Sequence, residues 1–291
     1  MSQQTIVNIL ITFSLILIVA LSFFLIYSSS KIFSIFHAVI IAFGAYLVYT
    51  FYEIIGFSLF ISILLAILFS ILLGVFSEVL VFKRFRVLSG GIYPIVASIG
   101  LYIVFQNIIS IIWGDDTKTI RHGDVIVGNQ IIDAYITTNQ IITILISIVI
   151  YLCFYLYLHF TVTGKSIRAV SSNLELCNIY GISPNKIILI AFALGSALAS
   201  IAGILSVMDT NMTPTFGFDL LLYGVVAMII GGVGSTRGLI AGSLLVATSQ
   251  HLAAFYLDPK WMDAVTYIVL ILFLIWRPLG FSGKRLKKVE V

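Results

Sequence analysis

Long stretches without a single charged residue restrict the fold of this chain more than any other feature of its sequence. They cover residues 6–30, 54–77, 87–114, 134–164, 187–208, 220–236 and 238–257. Most of them reach the ~20 residues that an α-helix needs to cross a hydrocarbon core of ~30 Å. Only 10% of all residues are charged, against roughly 25% in soluble domains. The outer surface of the folded chain is therefore expected to face lipid.

The same stretches decide between the two architectures that can span a bilayer. Backbone polar groups find no water in the hydrocarbon core, so only helical bundles and closed β-barrels are stable there. Barrel strands alternate apolar and polar residues over ~10 positions, whereas residues 190–207 show no such alternation. We therefore predict an all-α, polytopic helical bundle that forms a single transmembrane domain over residues 1–291.

Eight or nine hydrophobic segments are predicted to cross the membrane. They lie near residues 6–27, 37–52, 54–79, 92–113, 140–160, 187–208, 217–233, 238–256 and 263–278. The segments 37–52 and 217–233 are short, so one or both are candidates for half-helices rather than full spans. No basic region precedes the segment 6–27 and no small-residue cleavage site follows it, so we interpret it as a retained first helix.

Lysine and arginine set the predicted orientation, because they favour the cytoplasmic side of a membrane protein. Thirteen of the 16 fall on one side: Lys31, Lys83, Arg84, Arg86, Lys165, Arg168, Lys186, Arg237, Arg277, Lys284, Arg285, Lys287 and Lys288. The segment 163–186 and the tail 277–291 are then cytoplasmic, and the loop 115–139 is external. With the C-terminus in the cytoplasm, nine crossings would place the N-terminus outside, whereas an even number would place it in the cytoplasm. Topology thus explains the basic residues, and no nucleic-acid partner is expected.

One of the cytoplasmic segments, residues 163–186, is predicted to contain a short amphipathic helix. Its apolar residues at helical spacing are Ile167, Val170, Leu174 and Cys177. Gly164 and Gly181 flank this pattern and mark the ends of the helix. Such a helix either lies in the membrane interface or docks on a partner protein.

Two glycine-containing motifs resemble nucleotide-binding loops but fail on their spacing. A P-loop needs a glycine five residues before its Gly-Lys-Ser, and the Gly-Lys-Ser at 164–166 has His159 there. The glycines of residues 231–238 lack dinucleotide-binding spacing, and no βαβ unit surrounds them. We interpret that stretch as a tight turn between two membrane segments, with a cytoplasmic contact made by Arg237 as the alternative. No ATP hydrolysis is expected on this chain.

Small residues recur at three- and four-residue spacing in one membrane segment, over residues 191–206. They are Ala191, Gly195, Ser196, Ala199, Ala202, Gly203 and Ser206. Such residues let helix backbones approach closely in a membrane. This face is therefore predicted to pack against other helices rather than to bind a ligand.

Four residues are candidates for lining a pathway through the membrane: His37, Gln106, Asn107 and Pro214. Ionisable groups at membrane depth are costly, so His37 is either functional, or bonded to a neighbouring helix or placed at the inner interface. The two amides and the proline either line a pathway or only satisfy backbone groups. The acidic residues lie at segment ends and in loops, which argues against an ion-driven pump. No nucleophile–base set, metal-ligand cluster or cofactor motif indicates an enzyme.

Several motifs resemble the inner-membrane permeases of ABC importers for branched-chain amino acids. The most specific are Gly-Lys-Ser-Ile-Arg-Ala at 164–169, Ala-Ser-Ile-Ala-Gly at 199–203, Gly-Gly-Val-Gly-Ser at 231–235 and Arg-Pro-Leu-Gly at 277–280. In the N-terminal half, similar stretches are Ile-Phe-His-Ala at 35–38, Gly-Ala-Tyr at 44–46, and Ile-Gly-Leu at 99–101 followed by Gln-Asn at 106–107. The resemblance extends over nearly the whole chain.

The sequence departs from that family at two places. Ala38 stands where the family usually has glycine. Importer permeases carry a Glu-Ala-Ala-x-x-x-Gly motif in a cytoplasmic loop. This chain has the Glu and the Gly of that motif, as Glu175 and Gly181, but other residues replace both alanines. A docking role for this loop is therefore expected, while its details are left open.

The resemblance implies a transport mechanism in which separate ATPase subunits supply the energy. Segment 164–181 would be the coupling helix, seated in a groove of an ATPase, and its coupling residues would be Gly164, Lys165, Arg168, Glu175 and Gly181. Closure of two cytoplasmic ATPase subunits would switch the permease between inward- and outward-open states. A second permease subunit, identical or related, would complete the pore, and a periplasmic or extracellular binding protein would deliver the solute.

The protein implied by this resemblance is a multi-pass permease of a bacterial inner membrane, with a cytoplasmic C-terminus, that imports leucine, isoleucine and valine. Similar permeases carry urea or short amides, which leaves the solute open. The alternative from a different class is a stand-alone secondary transporter or channel. Segment 164–181 separates the two, because it would be largely dispensable in the second case.

Overall fold

Apolar helices form nearly all of this structure, a computed structural model that describes residues 3–87, 92–120, 128–131 and 134–282. The helices are α1 Gln3–Ser30, α2 His37–Tyr49, α3 Leu59–Ser77, α4 Lys83–Val87, α5 Ile92–Trp113, α6 Thr138–Phe160, α7 Val162–Ser172, α8 Leu174–Ile179, α9 Pro184–Asp209, α10 Phe216–Gly231, α11 Thr236–Tyr256 and α12 Met262–Trp276. The prediction of an all-α, polytopic bundle is therefore confirmed.

Eight helices in the described residues are long and apolar enough to cross a membrane. Two of these spans contain a stretch of π-helix. Residues Thr50–Ile54 extend α2, so that the short second segment becomes a continuous span over His37–Ile54. Residues Glu78–Phe82 join α3 to α4 in one span over Leu59–Arg86.

The ninth apolar segment, α10, is shorter than the eight spans. It has 16 residues, which corresponds to about 24 Å of helix. It ends at Gly231 and is followed by the C-cap Gly232, whose φ of 95° favours a glycine; α11 then begins at Thr236 after the N-cap Ser235. The predicted tight turn between two membrane segments is therefore present, because Gly231 and Gly238 bring the two backbones into contact across it.

Contacts between distant residues sort the helix ends onto two faces of the bundle. One face, which we call the basic face, joins the end of α1 to α7, α4 to α9, and the end of α10 to the residues after α12. These contacts are Lys31 Nζ to the Ser171 carbonyl oxygen at 2.7 Å, Arg86 Nη1 to Asn185 Oδ1 at 3.5 Å, and Phe281 N to the Ile230 carbonyl oxygen at 2.9 Å.

The opposite face joins the start of α1 to the loop before α6, and the end of α9 to the start of α6. These contacts are Gln4 Nε2 to the Tyr135 carbonyl oxygen at 3.1 Å, Gln140 Nε2 to Asp209 Oδ2 at 3.0 Å, and Lys118 N to the Met212 carbonyl oxygen at 3.0 Å. Successive apolar helices therefore alternate in direction. The chain crosses between the faces nine times when α10 is included, so α1 begins on the face opposite to the one where α12 ends.

The described parts of the loop 115–139 lie on the opposite face and include a two-stranded sheet. Strands β1 Asn129–Ile131 and β2 Ala134–Ile136 pair in antiparallel fashion. Residues 121–127 and 132–133 of this loop lie outside the described residues, as does the part of the tail 277–291 that follows Ser282. A bridge between Lys118 and Met212 anchors the described part of the loop.

The core of the bundle lies around α1 and α9. The predicted close-packing face of α9 is confirmed, because its small residues are buried against α1, α2 and α3. A Cβ at Gly203 would lie 2.1 Å from the Ile41 carbonyl oxygen, and one at Gly44 would lie 2.2 Å from Ser200 Oγ. Such backbone approach is the usual source of helix association in lipid.

The outer helices bury little of their surface within this chain. The share of buried residues is 6% in the span that contains α12 and 11% in α5, against 78% in α1. Large apolar side chains such as Ile111 and Ile275 are exposed on these helices. The outer helices therefore present their surfaces to lipid or to another membrane protein.

Candidate functional site

The segment between α6 and α9 forms two short helices on the basic face, and not the single amphipathic helix that its apolar spacing predicts. Helix α7 ends at Ser172 and α8 begins at Leu174. Between them Asn173 adopts an extended conformation with φ −156° and ψ 111°, and its side chain accepts a hydrogen bond from Leu176 N. Asparagine is a favoured N-cap because it satisfies a free backbone N–H in this way, so the single predicted helix is wrong.

The inward side of this segment follows the predicted apolar pattern. Ile167, Val170 and Cys177 are buried, and Leu174 is half-buried. Gly164 is also buried, because a Cβ at this position would lie 2.1 Å from the Tyr157 carbonyl oxygen of α6. Thr161 caps α7 by accepting a hydrogen bond from Gly164 N at 3.0 Å. Gly164 is therefore the point at which the chain folds back against α6.

The outward side carries the three charged residues that the sequence singled out. Lys165, Arg168 and Glu175 are all exposed. Gly181 follows α8 with φ +74°, and no other group lies within 4 Å of the position of its missing Cβ. The hydrogen bond from Ile182 N to the Cys177 carbonyl oxygen at 2.9 Å closes the end of α8 over this glycine, as is usual at helix C-termini.

Three large side chains on α8 and its C-terminus form an exposed patch that the sequence reasoning missed. Leu176 is 48% exposed, Tyr180 76% and Ile179 80%. They lie beside the exposed Glu175 and Gly181, outside the membrane-spanning helices. The spacing of 176, 179 and 180 is itself a helical face, so this signal was present in the sequence. We call these three residues the α8 patch.

Lys31 connects this segment to the end of α1. Its Nζ donates to the Ser171 carbonyl oxygen at 2.7 Å, and burial lowers the pKa of its amine. Its backbone has φ +59°, a conformation that a residue other than glycine adopts only when its surroundings enforce it. The segment is therefore attached to α1 through Lys31, to α6 through Gly164 and to α9 through the turn at Gly181.

His37 is fully buried at the start of α2. Its Nε2 lies 3.0 Å from Ser22 Oγ on α1, and the Ser22 hydroxyl donates to the Val19 carbonyl oxygen at 2.7 Å. The Ser22 hydroxyl has one proton and donates it to Val19, so it accepts the hydrogen bond from His37. The geometry therefore assigns the imidazole proton of His37 to Nε2. Among the described residues no hydrogen-bond partner faces its Nδ1. In the structure His37 is therefore bonded to a neighbouring helix, which is one of the non-functional alternatives for this residue.

Gln106 and Asn107 lie together on α5, the helix of which little is buried. Gln106 Nε2 donates to Ser110 Oγ at 3.2 Å, and Asn107 Nδ2 donates to the Ile103 carbonyl oxygen at 2.7 Å. The Asn107 side chain is exposed and Gln106 is half-buried. An exposed amide in the middle of an apolar span indicates a surface that meets water or a polar partner, since lipid offers no hydrogen bonds.

Pro214 does not interrupt a helix. It is buried in the turn that precedes α10 on the opposite face, and the hydrogen bond from Phe216 N to the Thr213 carbonyl oxygen at 3.2 Å closes that turn. The neighbouring Met212 pairs with Lys118. The four pathway candidates are therefore not brought together: His37 is in the core, Pro214 in a turn, and only Gln106 and Asn107 are neighbours.

A polar cluster that the sequence reasoning missed lies at the ends of α10 and α12 on the opposite face. Tyr223 Oη donates to Asp263 Oδ1 at 2.5 Å, and Asp219 lies one turn before Tyr223. The ring of Phe218 is 5.3 Å from that of Tyr102 on α5. Spans far apart in the sequence supply these residues, so no local pattern could reveal the cluster. It places carboxylates beside the helix that carries Gln106 and Asn107.

Together the alternating spans and the folded segment on the basic face define the class as a polytopic α-helical permease. The family described as "branched-chain amino acid transport system / permease component" matches residues 5–274, and the chain belongs to this family. No solved structure matches it.

Several relatives of this chain are bacterial proteins whose names describe them as permeases. LivH of Salmonella typhimurium, a high-affinity branched-chain amino acid transport system permease protein, is 27% identical over 201 residues, or 67% of this chain and 65% of LivH. BraD of Pseudomonas aeruginosa, which carries the same description, is 28% identical over 209 residues, or 69% of this chain and 67% of BraD. The fructose import permease FruF of Bifidobacterium longum is 27% identical over 210 residues, or 66% of this chain and 54% of FruF.

Proposed function

We propose that this chain is the transmembrane permease subunit of an ATP-driven importer for branched-chain amino acids. One observation carries the proposal: a folded segment, α7–α8, projects exposed charged and apolar side chains from the basic face of a bundle that has no nucleotide-binding motif. The names of LivH and BraD support the solute class. The single permease domain extends over residues 1–291.

The proposed partners follow from the surfaces that this chain leaves uncovered. Two cytoplasmic ATPase subunits hydrolyse ATP, and one docks on α7–α8. A second permease subunit, identical or related, covers the outer helices, and an extracellular or periplasmic binding protein delivers solute to the opposite face. The complex resides in the bacterial cell membrane with the basic face and the C-terminus in the cytoplasm, as the distribution of Lys and Arg favours.

Movement of the ATPase is transmitted to the bundle through the contacts that attach α7–α8 to α1, α6 and α9. Lys165, Arg168 and Glu175 face the ATPase with the α8 patch, and Gly164 and Gly181 hold the segment against α6 and α9. Because α9 lies in the core between α1, α2 and α3, a displacement of α7–α8 moves a helix that the whole bundle packs around. Packed cores have discrete arrangements rather than continuous ones, which suits a switch between two open states.

The solute path runs along the uncovered faces of α5, α10 and α12. Exposed carboxylates and amides are costly in lipid, so Asp219 and Asp263 together with Gln106 and Asn107 need water or a polar partner beside them. His37 and Pro214 act on this path through packing: His37 fixes α1 against α2, and Pro214 fixes the turn into α10. A pore completed by the second permease subunit provides that environment.

A different solute is the second candidate, because relatives named for fructose and xylose transport also match the chain. Urea and short amides are further alternatives within the same mechanism. A stand-alone transporter or channel is the alternative from another class. The exposed α7–α8 segment favours the ATP-driven importer, since a stand-alone transporter has no partner to bind there.

Gly181→Asp tests the coupling role, with Gly181→Asn as its matched control. No group within 4 Å would clash with either side chain, and both residues tolerate a positive φ. The two variants therefore differ in a negative charge, which would be costly to bury against a docked ATPase. We expect Gly181→Asp to abolish ATP-dependent uptake with normal membrane insertion, and Gly181→Asn to retain most of it. Normal uptake by Gly181→Asp would refute the docking site.

A further inference from the structure

A cavity on the basic face, beside α7, joins the exposed Arg168 to cationic and hydroxyl groups that the proposed function does not use. Its volume is about 460 Å³, within the range of small-molecule sites. It is enclosed by the ends of α1 and α6, by one flank of α7 that carries both the buried Ile167 and the exposed Arg168, and by the turn from α10 into α11. It therefore lies where the helix bundle meets the level of the lipid headgroups.

The polar lining of this cavity is cationic. Arg168 and Arg237 reach it from α7 and α11, and His159 from the last turn of α6. The lining residues, all within the described part of the chain, include no Asp or Glu. Among the described residues, the ion pairs are Arg86 with Glu78 and Lys118 with Asp116, so neither arginine of the cavity is neutralised there. An unbalanced pair of guanidinium groups attracts an anion.

Arg237 is held in place with most of its donors free. Its Nη2 donates to Tyr155 Oη at 3.1 Å, and its guanidinium carbon lies 5.9 Å from the centre of that ring. The Tyr155 ring stacks on His159 with 4.2 Å between centroids. Since a guanidinium has five N–H donors, the contact with Tyr155 orients Arg237 and leaves donors for a ligand in the cavity.

Further donors surround the cavity. Hydroxyl groups line it on Ser171, Ser172, Ser235 and Thr236, and that of Ser28 donates to the Leu25 carbonyl oxygen at 3.4 Å. The Nζ of Lys31 is bonded to the carbonyl oxygen of Ser171, which places a third cation at the edge. Helix α11 begins at Thr236, so its positive end adds to the same field. These groups match the oxygen atoms of a phosphate.

The rest of the lining is apolar. Phe24, Leu158 and Ile167 are buried side chains of the core, and Val233 completes this side. A cavity with one apolar wall and one cationic, hydroxyl-rich wall fits a molecule that has an apolar part and an anionic part. Basic pockets between membrane helices on the cytoplasmic side are typical sites for anionic lipid headgroups.

We propose that this cavity binds a phosphate group, either the headgroup of an anionic phospholipid or a free phosphate of the cytosol. Arg168 and Arg237 bind the phosphate oxygens, and the serine hydroxyls complete the hydrogen bonding. A ligand there bridges α7 to α11 and so fixes the position of α7 against the bundle. The site shares Arg168 with the proposed coupling surface, but its other ligands have no part in the transport proposal, so the Arg237 variants test this inference separately.

The test measures binding of a fluorescent phosphatidylglycerol to the full purified chain in neutral detergent. Phosphatidylglycerol is expected to bind at least about tenfold more tightly than the matching phosphatidylcholine, and Arg237→Gln to weaken it by about tenfold, since hydrogen bonds to charged groups are strong. Arg237→Lys, which keeps the charge, should restore much of the affinity. Arg84→Gln removes an exposed cation of the basic face outside the cavity and should leave binding unchanged.

Competition separates the two sources of phosphate. Displacement of the fluorescent lipid by millimolar inorganic phosphate assigns the site to a free anion, and displacement only by phosphatidylglycerol assigns it to the lipid. Equal binding of the two lipids, or wild-type affinity in both Arg168→Gln and Arg237→Gln, would overturn the proposal. So would a loss of ATPase co-purification in Arg237→Gln with unchanged lipid binding, because a partner carboxylate would then be the occupant.

Discussion

Single glycines determine how closely the backbones of this bundle approach. Gly164 is the case with the clearest functional consequence, because the missing Cβ would lie 2.1 Å from the Tyr157 carbonyl oxygen. The sequence identified Gly164 as a coupling residue from a family resemblance. The structure adds the physical reason for a glycine there, which is the sharp return of α7 against α6.

Replacement of Gly164 by alanine is expected to lower the free energy of unfolding by about 2 kcal/mol, because the added methyl group forces two helices apart. Gly100→Ala is the matched control, since Gly100 is an exposed helical glycine with no group within 4 Å of its missing Cβ. Thermal unfolding of the two variants in detergent measures the difference. Equal melting temperatures would show that α7 is not packed against α6 in this way.

Residue chemistry alone did not predict where the polar candidates lie. The sequence predicts His37 to be a costly group at membrane depth, and the hydrogen bond to Ser22 that satisfies its Nε2 comes from another helix. Pro214 is a candidate for lining a pathway in the sequence, and the structure places it in a turn. Tertiary contacts decide both outcomes, and no local pattern in the sequence contains them.

At the scale of elements, the apolar periodicity predicted nearly all of the spans. The predicted segment 92–113 coincides with α5, Ile92–Trp113, because an unbroken apolar run in lipid has no alternative to a helix. The segment 163–186 was harder, since Asn173 caps a second helix and breaks the first. Capping competes with helix propagation through a side-chain hydrogen bond, and apolar spacing does not report it.

The α8 patch gives the prediction that belongs to this scale. Ile179 and Tyr180 are 80% and 76% exposed, and a docked ATPase would bury them at the centre of its contact. We expect Ile179→Ser to cost about 2 kcal/mol of binding free energy, a roughly thirtyfold weaker association, as at interface hot spots. Co-purification and titration of the ATPase with the reconstituted permease measure this change.

Ile179→Leu is the control for the α8 patch, because it keeps the apolar volume and should keep the affinity. Both variants should insert into the membrane normally, since Ile179 lies outside the spanning helices. Wild-type ATPase binding by Ile179→Ser would place the docking surface elsewhere on the basic face.

At the scale of the whole molecule, nine alternating crossings put the start of α1 and the end of α12 on opposite faces. The sequence left the number at eight or nine because the segments 37–52 and 217–233 are both short. The contacts at both ends of α10 show that it also crosses between the two faces, and no property of the isolated segment could reveal this.

The distribution of basic residues predicts which face is cytoplasmic, and labelling of single cysteines tests it. In a background with Cys153 and Cys177 replaced by serine, Ser58→Cys on the opposite face should react with a membrane-impermeant maleimide in intact cells. Arg84→Cys on the basic face should react only after the membrane is permeabilised. The reverse pattern would invert the orientation and remove α7–α8 from the compartment that contains ATP.

Energy supply is the central claim, and solute uptake by proteoliposomes tests it most directly. Vesicles that contain this chain, its partner permease, the ATPase subunits and the binding protein should accumulate leucine, isoleucine or valine only when ATP is present on the side of the basic face. The same vesicles without the ATPase subunits should accumulate none, with or without a proton or sodium gradient. Accumulation by this chain alone, driven by an ion gradient, would contradict the account.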